Sequence, residues 1–182
     1  MDQRAAFVTK VLFGEEDDVN LFTILDGASV PGLLQHLYDC ELHYECLYRG
    51  DLAPDMAEVA PYLVKLERES ALTGWIVEEG WAKHWGIFAR SSEDLRTMRR
   101  HFRTFLTVHD SNAKPLYFRY YDPRVLRVFL PTCNAGELNA IFGPVDRYLM
   151  EDEPGSAILS FRNNGGALVK RKDELPGPEQ EN

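Results

Sequence analysis

With 182 residues, 45% of them hydrophobic, the chain is long enough for one domain with a peripheral extension and rich enough to bury a core. A formal net charge of −9 argues against nucleic acid or an anionic membrane as the main partner, since both require a positive field, but leaves room for a local basic patch. No run of about 18 apolar residues is present to cross a bilayer, the start MDQRAAFVTKVLFGEEDD has no apolar signal-peptide core, and three cysteines without framework spacing (Cys40, Cys46, Cys133) read as reduced thiols, so a cytoplasmic protein is expected.

Ala5, Val8 and Leu12, with Phe7 and Val11 beside them, recur at helical spacing and predict a short amphipathic helix over 3–13. The acidic run Glu15–Asp18 follows as a solvated linker, so 1–19 form an N-terminal helix and linker. NLFTILDG (20–27) reads as a buried strand ending at Asp26-Gly27, and VPGLLQHLYDC (30–40) as a helix with Pro31 in its first turn. YECLY (44–48) and PYLVKLE (61–67) are the next strands, separated by a loop containing Gly50 and Pro54. ESALTGWIVEEG (69–80) reads as a helix closed by Gly80, and HWGIFA (84–89) as a strand.

Ser91, three residues before Asp94, has the spacing of a capping box and predicts a long helix burying Leu95, Met98, Phe102 and Phe105. A turn at Asp110–Ala113 leads into PLYFRYY (115–121), read as a strand with Tyr120 and Tyr121 on opposite faces. Asp122 then stands where a helix N-cap belongs, with Pro123 at the first helical position and RVLRVFL behind it. ELNAIFG is a second short helix ending at Gly143. RYLMED and SAILSFR flank Glu153-Pro154-Gly155, a turn signal, and predict a hairpin over 146–162. Residues 166–172 are expected to be helical and the tail from Asp173 disordered, so the main domain runs over 20–165 and 166–182 form an appendage. Strands alternating with helices, then a late hairpin, predict a single α/β domain on a mixed sheet flanked by helices.

Candidate chemistry is sparse. His36, Cys40, His43 and Cys46 are ligand types close together, but a strand would turn His43 and Cys46 to opposite faces, so no metal site is expected. Neither a G-x-S-x-G elbow nor a phosphate-binding glycine loop occurs, and no cofactor is expected. Asp26 and Asp122 each follow a predicted strand, where open α/β sheets place their sites, and such a pair suits Mg²⁺ in phosphoryl transfer or hydrolysis. Against this, Asp122 already has a capping role, Asp26 precedes a glycine in a plain turn, and no Asp-x-Asp accompanies either. The structural reading is preferred, and a small metal-dependent hydrolase using both aspartates is the alternative.

The basic helix is the better candidate for binding. Arg96, Arg99, Arg100 and Arg103 have no acid among them, and Arg96, Arg100 and Arg103 share a face. They form either a docking surface for an acidic partner segment or a solvated face whose arginines pair internally. Trp81, in EEGWAK, is the aromatic most expected to stay exposed as an interface anchor.

The order of ILDGA (24–28), CLYRG (46–50), VAPYLVKLE (59–67), WGIFARSSEDLRTMRRHFRTFLTV (85–108), LYFRYYDPRVLRVFLP (116–131) and LNAIFGPVDRYLMED (138–152) resembles the bacterial type VI secretion effector chaperones, also called adaptor proteins. Its most specific piece is FRYYDPRVL, where Phe118, Arg119, Tyr121, Asp122, Pro123, Arg124, Val125 and Leu126 match the family pattern. His101 and Arg103 match a His-Leu-Arg pattern with Phe102 in place of leucine. The resemblance implies a non-enzymatic cytoplasmic protein that binds a cognate secreted toxin effector and helps load it onto a VgrG spike or PAAR-repeat tip. At the motif, Arg119 or Arg124 is expected to pair with a carboxylate such as Asp26 and lock the strand–helix joint. The hairpin 146–162 and the helix 166–172 are expected to form a docking edge.

Overall fold

The computed structural model describes residues 2–15, 18–109 and 112–177. Glu16 and Asp17 of the acidic run, Asp110 and Ser111 of the expected turn, and 178–182 of the tail lie outside the described residues.

β1 (Asn20–Asp26) organises the fold because it is buried at every position from Leu21 to Asp26. A strand buried on both faces needs cover on both. β1 pairs with β3 (Pro61–Leu66) on one side and β4 (Gly86–Ser91) on the other. β2 (Tyr44–Cys46) adds outside β3, while β7 (Arg147–Glu151), β8 (Ala157–Asn164) and β9 (Ala167–Glu174) continue from β4. The seven-stranded sheet therefore runs β2-β3-β1-β4-β7-β8-β9, and each of its ladders is antiparallel. β5 (Thr107–His109) and β6 (Pro115–Tyr117) form a separate antiparallel ribbon.

Alternation along β1 sends side chains into two cores. Phe22 and Ile24 share a cluster with Met98 and Phe102 of α5 (Leu95–Arg103), Leu126 of α6 (Pro123–Phe129) and Phe142 of α7 (Ala135–Phe142). Leu21 and Leu25 join Val8 and Leu12 of α1 (Gln3–Phe13), Leu37 of α2 (Leu33–Asp39) and Leu72 of α4 (Ala71–Trp75). A further short helix, α3 (Pro54–Val59), lies in the loop after β2. The expected single α/β domain, a sheet with helices around it, is what forms, but its ladders are all antiparallel where a mixed sheet was expected. Among the described residues no helix is long and apolar enough to cross a membrane.

Four local expectations are corrected. Residues 166–172 are not helical: they belong to β9, which pairs with β8 from Asn164↔Ala167 to Ala157↔Glu174. Gly165 and Gly166 have φ of +61° and +90°, the two positive values that a two-residue I′ hairpin loop requires. Asp173 and Glu174, placed in a disordered tail from sequence, sit in that ladder. The strand expected over 115–121 stops at Tyr117, because Tyr120 turns inward, is fully buried and donates its hydroxyl to Phe102 O at 2.8 Å. Tyr121 is buried beside it instead of on an opposite strand face. Finally, α5 is capped by Asp94, which accepts from Thr97 N at 2.7 Å, while the Ser91 hydroxyl donates to Pro144 O at 2.6 Å.

Candidate functional site

The FRYYDPRVL segment builds a closed joint between β1 and α6. Asp26, at the end of β1, is 1% exposed. Its carboxylate accepts from the Ala28 amide at 3.2 Å and the Ser29 hydroxyl at 2.9 Å, and is ion-paired with the Arg119 guanidinium. This hydrogen bond raises the Arg119 pKa above the ordinary arginine value. Arg124 does not reach Asp26 but pairs with Asp122. Asp122 caps α6 by accepting from Arg124 N at 2.9 Å, and its other oxygen accepts from Arg124 Nη2 at 2.7 Å. Burial alone would raise the Asp122 carboxyl; the hydrogen bonds from Arg124 outweigh it and hold the pKa below the usual value. Pro123 occupies the first helical turn, where no amide donor is needed.

The second assembly is cationic. α5 carries Arg96, Arg99, Arg100 and Arg103, and Arg49 comes up beside them from the loop after β2. The five guanidinium side chains line one depression of about 240 Å³. Two are committed to the fold. Arg103 donates to three successive carbonyls, Cys46 O at 2.9 Å, Leu47 O at 3.0 Å and Tyr48 O at 2.7 Å. Arg99 lies 3.3 Å from the Glu45 carboxylate. Partial burial, then the charges of Arg99 and Arg49, lower the Arg103 pKa. Among the described residues, Arg49, Arg96 and Arg100 make no ion pair.

Arg49 and Arg103 are also shared with an adjoining trough of about 710 Å³, whose apolar lining includes Leu47, Leu52, Met56, Leu106 and Tyr117. Tyr117 is 83% and Met56 44% exposed, so the lining reaches the surface there, while Leu47 is buried and Leu52 and Leu106 pack against the cores.

The sequence model of a domain of unknown function (DUF4123) matches residues 21–140. The chain belongs to the DUF4123 family. No curated protein and no solved structure matches it. The DUF4123 match begins in β1 and ends in α7, so it contains both arginine–aspartate pairs and the cationic depression. The sheet of this DUF4123 chain is completed outside the match by β7, β8 and β9.

The other sequence candidates fall elsewhere. Trp81 is half-buried, donates its indole N–H to Gly155 O at 3.0 Å, and packs against the core face opposite α5. It does not join the arginines and is not a free anchor. His36 stacks on Trp75 with ring centroids 3.7 Å apart, and the Cys40 thiol donates to Leu37 O. Among the described residues no three His, Cys, Asp or Glu side chains are placed to hold a metal ion.

Sequence reasoning missed Glu151. Its buried carboxylate accepts from Ala82 N at 2.5 Å and His84 N at 3.0 Å and is paired with the His84 ring. Ala82 and His84 have φ of +66° and +59°, a left-handed conformation costly for residues with a Cβ. Glu151 thus pins a strained turn, and burial raises its pKa. The one sequence signal was a carboxylate at the end of a run otherwise suited to a buried strand.

Proposed function

We propose that this DUF4123 protein is a non-enzymatic adaptor of the type VI secretion system, a cytoplasmic chaperone that binds a cognate secreted toxin effector and helps load it onto a VgrG or PAAR spike protein. The observation that carries the reading is the closure of both candidate catalytic aspartates. Asp26 is occupied by Arg119, Ser29 and Ala28, and Asp122 by Arg124. A hydrolase that held Mg²⁺ with this pair needs those oxygens open to the metal. Here the motif that resembles the effector-chaperone pattern uses its charged residues to join a strand to a helix, leaving a surface for binding. Stoichiometric association is then the mechanism, with no turnover.

The test is purification from the native host with an affinity tag, followed by identification of what elutes in equal amount. The adaptor reading expects a toxin effector together with, or without, a spike protein, and expects the effector to keep its activity when released. Bound effector that is permanently neutralised would mark an immunity protein. Mg²⁺-dependent hydrolysis lost in Asp26→Asn, with the fold intact, would replace the reading with the enzyme.

A further inference from the structure

We propose that the arginine depression and the apolar trough beside it form one docking site for a partner segment in which acidic residues are interleaved with large apolar ones, read by Arg49, Arg96 and Arg100. The proposal rests on the adaptor reading and names the chemistry of the segment that reading requires.

Concentration of charge is the first argument. In a chain of net charge −9, five guanidinium groups converge on one depression, and Glu45 is the acid paired with one of them. Like charges placed together repel, and two acids, Glu45 beside Arg99 and the exposed Asp94 near Arg96 and Arg100, face five guanidinium groups, so a further anion is favoured there. Guanidinium groups also suit carboxylates in particular, because their planar fork donates two parallel hydrogen bonds.

Construction is the second. Arg103 is not free for a partner; it ties down the carbonyls of 46–48 and so fixes the loop that carries Arg49. Arg49 is thereby held in the same depression as Arg96 and Arg100. The same bonds occupy the backbone where β2 leaves the sheet edge, so a partner strand finds those carbonyls already taken. Docking proceeds through side chains.

The trough decides the class of partner. A simple anion or a phosphate backbone would use the arginines and leave Met56 and Tyr117 against water. Nucleic acid is further disfavoured by the negative field of the whole chain. Tyr and Arg side by side at a surface are the composition of a protein interface core and its anchors. Asp173 and Glu174, the acidic end of β9, lie on the opposite edge of the sheet from β2, which favours a segment of another protein.

The test uses fluorescence anisotropy with three probes: a peptide of interleaved glutamate and leucine, a polyglutamate peptide of equal length, and single-stranded DNA. The intact protein is expected to bind the mixed peptide at least about tenfold more tightly than either other probe, with affinity falling as salt rises. Arg96→Glu with Arg100→Glu is expected to weaken the mixed peptide by about tenfold or more while leaving the melting temperature unchanged, since both side chains are exposed. Met56→Ser with Tyr117→Ser is expected to weaken it without changing the salt dependence. Equal binding of polyglutamate or of DNA overturns the proposal, as does a mixed peptide indifferent to the arginine reversals. The native-host purification, repeated with Arg96→Glu and Arg100→Glu, separates the two claims. If the reversed protein captures the effector as well as the parent does, the site falls and the adaptor stands; if the parent captures nothing, the adaptor falls and the peptide result still judges the site.

Discussion

Arg119 closes over Asp26 from 93 residues further along the chain, joining the end of the central strand to the segment that starts α6. Because Asp26 is almost fully buried, losing its cation strands a carboxylate away from water. Arg119→Ala is expected to lower stability by about 1–3 kcal/mol, less than for a wholly buried pair because the arginine side chain is 46% exposed. Arg124→Ala should cost about 1 kcal/mol or less, since Arg124 is half exposed and the Asp122 cap on its backbone survives. Urea denaturation of both variants measures the order. An equal or inverted order would show that Arg119 is not the lock.

Glu151 supplies a second test of buried carboxylates. It holds two amides of a turn that contains two left-handed residues, and glutamine offers one oxygen where the carboxylate offers two. Glu151→Gln is expected to lose about 1–3 kcal/mol, the usual cost of leaving a buried donor unpaired. The pH behaviour has a defined sign. Its folded pKa is raised by burial, so the folded state holds the proton more tightly, and the stabilising contribution present below the ordinary value of 4.5 is lost as pH rises through the folded value. The parent should therefore lose stability just above 4.5 more steeply than Glu151→Gln does. Parallel slopes in denaturation at a series of pH values would remove Glu151 from the explanation.

Asp122 and Asp152 act in the other direction and lower in pH. Burial pushes both carboxyls up, but Arg124 acting on Asp122, and the amides of Ala157 and Ser156 with Lys172 acting on Asp152, bring both below the ordinary value of 3.8. A lowered folded pKa contributes stability that is present above 3.8 and lost as pH falls through the folded value. Asp122→Asn keeps a capping side chain while removing the charge, so it should change neutral-pH stability by about 1 kcal/mol or less and flatten the acid limb. An acid limb as steep as the parent's would mean that Asp122 is not ionised preferentially in the fold.

What was legible in the sequence was local. Asp122-Pro123 announced a helix start because an N-cap and a first-turn proline act on their own neighbours. The pairing of Arg119 with Asp26 was one of the options the residues offered; only the approach of distant segments selects it over Arg124. Gly165-Gly166 carried a hairpin signal that the ambiguous ALVKRKD concealed, since three apolar residues followed by four charged ones show neither a strand's alternation nor a helix's period. The four arginines of α5 were visible, but not which one faces inward, because that depends on where the loop 46–48 passes. The trough and the Glu151 turn were invisible for the same reason: each is assembled from segments far apart in the chain.

Arg103 is where fold and surface separate most cleanly, and its replacement by lysine tests that separation. The guanidinium spans three carbonyls at once, from Cys46 to Tyr48, which a single ammonium on a flexible stem does not reproduce. Arg103→Lys keeps the charge of the depression and should still cost about 1–2 kcal/mol, by leaving carbonyls of this loop poorly satisfied. The loss should appear locally as faster hydrogen exchange at the Leu47 amide, which is bonded to Pro61 O at 2.9 Å beside the loop. Arg96→Lys and Arg100→Lys, which preserve charge on exposed side chains, should leave that amide unchanged. If Arg103→Lys also leaves it unchanged, the arginine is part of the binding surface alone, and the loop bearing Arg49 is held by other contacts.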